Sequence, residues 1–195
     1  MENCSICRLE RKVDLLSNKV LELLYEIRLI LPYQLEMKSY VPGEKRLRQG
    51  IQADFPHENL RRWGCYFFAL LRWAEEIRRK GFDEAEIIPL FNQARQQMMP
   101  NPNGNGTQIP IINENCFVND PVRLLNFLAG KRAVTKVALW TNKGNHAAPE
   151  VKIFVAREKQ SAGLAHFVLI IEGKRWDSLP PVSPPRNPAG FRVLV

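Results

Sequence analysis

The 195-residue chain carries 28 Lys and Arg against 20 Asp and Glu, a formal net charge of +8, with a pI near 9.5. A hydrophobic content of 45% suffices for one globular domain plus an extension, and four cysteines are too few for a disulfide scaffold. The basic excess is spread along the chain and the aromatics sit in apolar runs, so no specific nucleic-acid partner is expected, only general attraction to anionic polymers such as bacterial wall polymers.

The first forty residues place Ile6, Val13, Val20 and Ile27 at heptad position a, and Leu9, Leu16, Leu23 and Ile30 at position d. β-Branched residues at a with leucine mostly at d predict a coiled-coil helix over residues 1–38, which self-associates or docks on a partner helix. Leu15, Leu21, Leu24, Leu29 and Leu31 widen the stripe and fit a higher-order bundle, or packing on the chain's own domain. Charged residues interrupt the stripe throughout, so no membrane span is predicted. An apolar signal region is absent as well, and the expected location is cytoplasmic, with association with a phage virion as another destination. Cys4 and Cys7 form a CxxC without further ligands nearby, so no metal site and no cofactor are expected. Residues 39–56, with Pro42-Gly43 and Gly50, read as a linker.

A domain over residues 57–195 follows. Residues 63–81 open densely apolar and end in charge, which predicts one buried helix with Cys65 in its first turn and Gly81 at its left-handed end. The unpaired N–H groups of a helix start favour thiolate over thiol; simple packing is the other use of such a cysteine. Asp83 and Glu86 give a capping signal, with Pro89 opening a helix to about Met98. Residues 100–106 are dense in Pro, Asn and Gly and form a loop. Strands are expected at 108–112 and 115–118, the latter burying Cys116, then a helix from Asp120-Pro121 to Gly130. Further strands are expected at 134–140, 151–156, 164–171, 175–178 and 190–195, with Pro180-Pro181 and Pro184-Pro185 between two of them. Helices first and strands later predict an α+β fold with a mainly antiparallel sheet. His57 and His146 lack neighbouring ligands, and no phosphate-binding glycine loop is present.

The strongest functional signal is in the last strands. If Glu172-Gly173 is a two-residue turn, Ile171 pairs with Lys174 and Asp177 falls opposite Val168, which makes Asp177 a diagonal neighbour of His166. A carboxylate there accepts the imidazole N–H and fixes its tautomer. A nucleophile at a helix start, followed far downstream by His and Asp on a hairpin, is how a cysteine hydrolase distributes its site. The candidate catalytic residues are therefore Cys65, His166 and Asp177.

With the segments Trp63-Gly64-Cys65-Tyr66-Phe67, Ala165-His166-Phe167-Val168-Leu169 and Gly173-Lys174-Arg175-Trp176-Asp177-Ser178, residues 52–195 resemble the papain-like cysteine peptidase superfamily. The likeness is to its compact branch, which includes double-glycine leader peptidases and bacterial and phage proteins. The resemblance implies a nucleophile helix packed on a His-bearing sheet, with Cys65 as nucleophile, His166 as general base and Asp177 as orienting acid. It also implies a peptide or peptidoglycan substrate. Such enzymes place a glutamine a few residues before the cysteine as an oxyanion donor. Here the amide candidates are Asn59 and, further back, Gln52. The competing reading is a coiled-coil assembly or phage structural protein whose papain-like domain is not catalytic.

Overall fold

In the computed structural model, residues 46–104, 106–141, 149–159, 165–179 and 188–195 are described. The heptad stripe, the CxxC, His146 and the two proline pairs lie outside them. The apolar run around Cys65 forms two helices, α1 (Glu58–Trp63) and α2 (Cys65–Arg78), instead of one. Gly64 separates them: its N–H donates to the Leu60 carbonyl at 2.9 Å, and a Cβ at this position would collide with that same oxygen. The break puts Cys65 at the first residue of α2. Helix α2 ends at Arg79, which takes the left-handed φ of 58° two residues ahead of the expected Gly81. Phe67, Phe68, Ala69, Leu70, Leu71 and Ala74 have no exposed surface, as expected of a helix that is apolar on most sides and central to its domain.

Helix α3 (Glu84–Gln96) starts earlier than its proline suggests. Asp83 accepts from the Ala85 N–H while Glu86 returns a bond to the Asp83 N–H, so the capping box sets the start and Pro89 lies inside the helix. Helix α4 (Pro121–Ala129) is bounded as expected by the Asp120 cap and by Gly130 at φ 68°. It packs against α2, whose other neighbour is the sheet.

Strands β1 (Met98–Pro100) and β2 (Gln108–Pro110) form a short antiparallel pair. The main sheet is antiparallel throughout, with β3 (Val137–Trp140), β4 (Ile153–Lys159), β5 (Ala165–Ile171), β6 (Lys174–Trp176) and β7 (Pro188–Leu194) in the order β3-β7-β4-β5-β6. The fold is thus α+β, with helices packed on a five-stranded antiparallel sheet. Val155, Leu169, Trp176 and Leu194 join the helices in the main core. Phe154, Ala156, Val168, Phe191 and Val193 make a second, smaller cluster.

The strand expected at 115–118 is a turn. The Asn113 side chain accepts the Phe117 N–H at 2.9 Å and its carbonyl accepts from Cys116 at 3.1 Å, leaving only a bridge between Ile112 and Val118. An asparagine that bonds nearby backbone offers the chain an alternative to a ladder.

The linker assignment for 39–56 is also corrected for its second half. Within the described residues, Leu47, Ile51 and Phe55 are buried in the main core. Glu75, fully buried on α2, accepts the Leu47 N–H and the Phe82 N–H, tying this segment to the helix. The Trp176 indole donates to the Leu47 carbonyl, Gly50 N–H to the Asp177 carbonyl and Gln52 N–H to the Ser178 carbonyl. Residues 47–52 therefore run beside the end of the hairpin that bears Asp177.

Candidate active site

The β5–β6 hairpin has the register required for a His–Asp pair. Glu172 and Gly173 both have positive φ, 49° and 77°, and the partners are Ile171 with Lys174, Ile170 with Arg175, and Leu169 with Trp176. Asp177 continues the hairpin past β6, and His166 Nε2–H donates to its Oδ1 at 2.7 Å. Both side chains are buried. With Nε2 committed to Asp177, Nδ1 is the nitrogen left for a reacting partner.

Burial disfavours the imidazolium, but hydrogen bonds to Asp177 and to the Cys65 sulfur, with the charges behind them, push His166 up to about 9. Burial likewise opposes ionisation of Asp177. Its bond to His166, the His166 charge, the Leu179 N–H and the Arg175 charge together hold its carboxyl below the ordinary range. Cys65, His166 and Gln52 line one cleft of about 690 Å³, rimmed by the half-exposed Trp63, Trp140 and Phe117. Helix α2 delivers Cys65, β5 His166, the hairpin end Asp177, and the 47–52 segment Gln52.

Of the two amide candidates, only Gln52 is in this cleft. It is buried, its Nε2 donates to the Arg61 carbonyl at 3.0 Å, and its Oε1 accepts from Ser178 Oγ at 2.7 Å. One of its two amide hydrogens remains for a ligand. Asn59 lies on α1 outside the lining of this cleft and donates to the Glu114 carbonyl at 3.1 Å. His57 caps α1 through Nδ1, which accepts the Leu60 N–H, and its ring meets Phe91 edge-on at 5.4 Å. Cys116 also lines the cleft, but its thiol donates to the Asn59 carbonyl and burial pushes it up to about 12.

Two residues near the His166–Asp177 pair were not anticipated. Arg175 grips Glu158 with two bonds, at 2.9 and 2.8 Å, and reaches Asp177 Oδ2 at 2.7 Å. The signal for Glu158 is register: it pairs directly with His166 across β4 and β5. Asp177 is thus held from one side by an imidazole and from the other by a guanidinium that has its own counterion. A carboxylate fixed at both oxygens keeps its orientation as the imidazole titrates.

The chain belongs to the family described as “Protein of unknown function, DUF261”, whose profile matches residues 48–183. No curated protein matches the chain, and no solved structure does.

Proposed function

We propose that this DUF261 member is a cysteine hydrolase of papain-like arrangement that cleaves an amide bond in a protein or in cell-wall peptide. The observation carrying this reading is the 2.7 Å bond from His166 Nε2 to a buried Asp177, in a cleft shared with a cysteine at the first residue of an apolar helix.

In the reaction, His166 takes the proton of the Cys65 thiol, and the sulfur attacks the amide carbonyl carbon. The carbonyl electrons move onto oxygen, where the Gln52 amide and the backbone N–H of Cys65 would stabilise the negative charge. Collapse of this intermediate breaks the C–N bond. The imidazolium gives its proton to the departing amine, leaving a thioester. A water then attacks the thioester while His166 accepts its proton. The C–S bond breaks, the acid leaves, and the proton returns to sulfur. Asp177 holds the imidazole in one tautomer and stabilises its charged form at both steps.

Mass-spectrometric labelling with a thiol-reactive amide-mimicking inhibitor tests the reading without a known substrate. Cys65 should be modified much faster than Cys116 at neutral pH, and His166→Ala should remove most of the difference. Equal labelling of Cys65 and Cys116 in the folded protein would overturn it and favour an assembly role.

A further inference from the structure

Tyr66, the residue after Cys65, lines the same cleft and is only 6% exposed. Its ring stacks on Phe167 with centroids 4.5 Å apart. Its hydroxyl is buried and has no hydrogen-bond partner among the described residues. A buried hydroxyl without a partner costs stability, and a protein that keeps one beside a reactive cysteine gains something by it when ligand is bound.

The neighbouring cation suggests what that ligand is. Arg192 is buried on β7, also lines the cleft, and lies over the Trp140 ring at 3.6 Å. Its Nη1 donates to the Thr141 carbonyl at 2.5 Å and to the Phe191 carbonyl at 2.9 Å, which fixes the guanidinium in place. Arg157 and Arg62 line the cleft as well, Arg62 paired with Glu58 at 3.1 Å, and no Asp or Glu is in the lining among the described residues. Aromatic side chains thus share this cleft with Arg192, and the charged side chains that line it are cationic among the described residues.

We infer that Tyr66 and Arg192 form a carboxylate subsite beside Cys65, so that the ligand of this cleft is a peptide with an acidic group next to an apolar one. The tyrosine hydroxyl donates to the carboxylate, the guanidinium supplies the opposite charge, and Trp140 and Phe167 flank the adjoining apolar part. Burial pushes Arg192 down to about 10, with Tyr66 opposing the shift and the Arg157 charge adding to it. An anion in the subsite relieves that repulsion.

The inference rests on the hydrolase reading only for what becomes of the bound peptide, and binding can be measured apart from catalysis. In full-length protein carrying Cys65→Ser, calorimetric titration would compare three peptides: N-acetyl-Ala-Glu-Ala amide, its Gln counterpart, and N-acetyl-Ala-Ala with a free C-terminus. A peptide carboxylate should bind about tenfold more tightly than the neutral Gln peptide, the usual scale of a charge-assisted bond. The Glu peptide binding best identifies an acidic side chain; the free-terminus peptide binding best identifies a chain end. Tyr66→Phe should shrink the preference several-fold while the unfolding midpoint stays level or rises, since only an unpartnered hydroxyl is lost. Arg192→Lys, which keeps charge and stem, should retain part of the preference. Equal or undetectable binding of the three peptides overturns the subsite, as does a Tyr66→Phe variant with an unchanged preference. Fast Cys65 labelling without a carboxylate preference would remove the subsite alone. A preference with an inert Cys65 would leave the subsite and remove the hydrolase.

Discussion

Replacing Asp177 by Asn is the sharpest probe of the His–Asp pair, because it keeps the shape and removes the charge. His166 holds its proton more tightly in the folded chain, up to about 9 from an ordinary 6.5. At 1.36 kcal/mol for each tenfold change in proton affinity, that difference amounts to about 3 kcal/mol. Because the folded value is the higher one, this stability is fully present below about pH 6.5 and is lost as pH rises through about 9. Asp177 has the opposite sign. Held below its ordinary 3.8, it contributes above that value and loses its contribution as pH falls through the lower, folded one. Urea unfolding of the wild type at pH 6 and at pH 10 should therefore show a loss on the order of 3 kcal/mol from this pair. In Asp177→Asn the imidazolium keeps only the Cys65 sulfur as a charged acceptor, and the loss should shrink by about half or more. Arg175 keeps its two bonds to Glu158 in the variant, so no lone buried guanidinium confuses the comparison. The same alkaline loss in both proteins would refute the claim that Asp177 sets the protonation of His166.

Gln52→Ala should slow formation of the acyl-enzyme by about a hundredfold, read as the burst with an activated ester, with the fold intact by circular dichroism. Gly64→Ala should lower the unfolding midpoint and slow Cys65 labelling together, since the added methyl collides with the Leu60 carbonyl and shifts the residue before Cys65; unchanged labelling would show that the break does not position Cys65. Glu75→Ala should cost about 3 kcal/mol in urea unfolding, because the Leu47 and Phe82 N–H groups lose their acceptor. Deleting residues up to about Gln34 should reduce oligomer size by light scattering while the remaining domain stays folded. A wild-type monomer at micromolar concentration, or a truncation that does not fold, would show that the stripe packs on its own domain.

The parts of the site legible in sequence are those whose geometry is set locally. The Glu172-Gly173 turn determines the pairing of Ile171 with Lys174, and period-two alternation then carries His166 and Asp177 together. The Asp120 cap and Gly130 bound α4 for equally local reasons. What escaped depends on contacts between distant segments. Gln52 reaches the cleft because Gly50 and Gln52 bond to Asp177 and Ser178, a pairing across more than 120 residues that no short window contains. A faint signal was present in Leu47, Ile51 and Phe55, apolar at a spacing of four, in a segment whose glycine and charges read as linker. Pro89 misled for the opposite reason, drawing attention from the stronger start signal at Asp83. The Arg175–Glu158 brace needed the β4–β5 register, which sequence alone leaves open.

Departures from local rules also converge on the cleft. Among the described non-glycine residues, Arg79, Cys116 and Glu172 have positive φ. Arg79 ends a helix and Glu172 makes a hairpin turn, where such angles are routine. Cys116 differs. Asn115, the residue type that adopts this conformation at less cost, stands one position earlier, yet the chain places a buried cysteine there, in the lining of the cleft. The same cleft holds the Tyr66 hydroxyl, which has no hydrogen-bond partner among the described residues. Sequences selected only for stability remove such conflicts, and those selected for a site retain them where a ligand or a reaction compensates. Two such costs in one cleft, beside the His166–Asp177 pair, support the hydrolase proposal without depending on it. The Tyr66→Phe variant measures one of those costs directly: stability unchanged or raised, with a loss of carboxylate binding, is the result the proposed site requires.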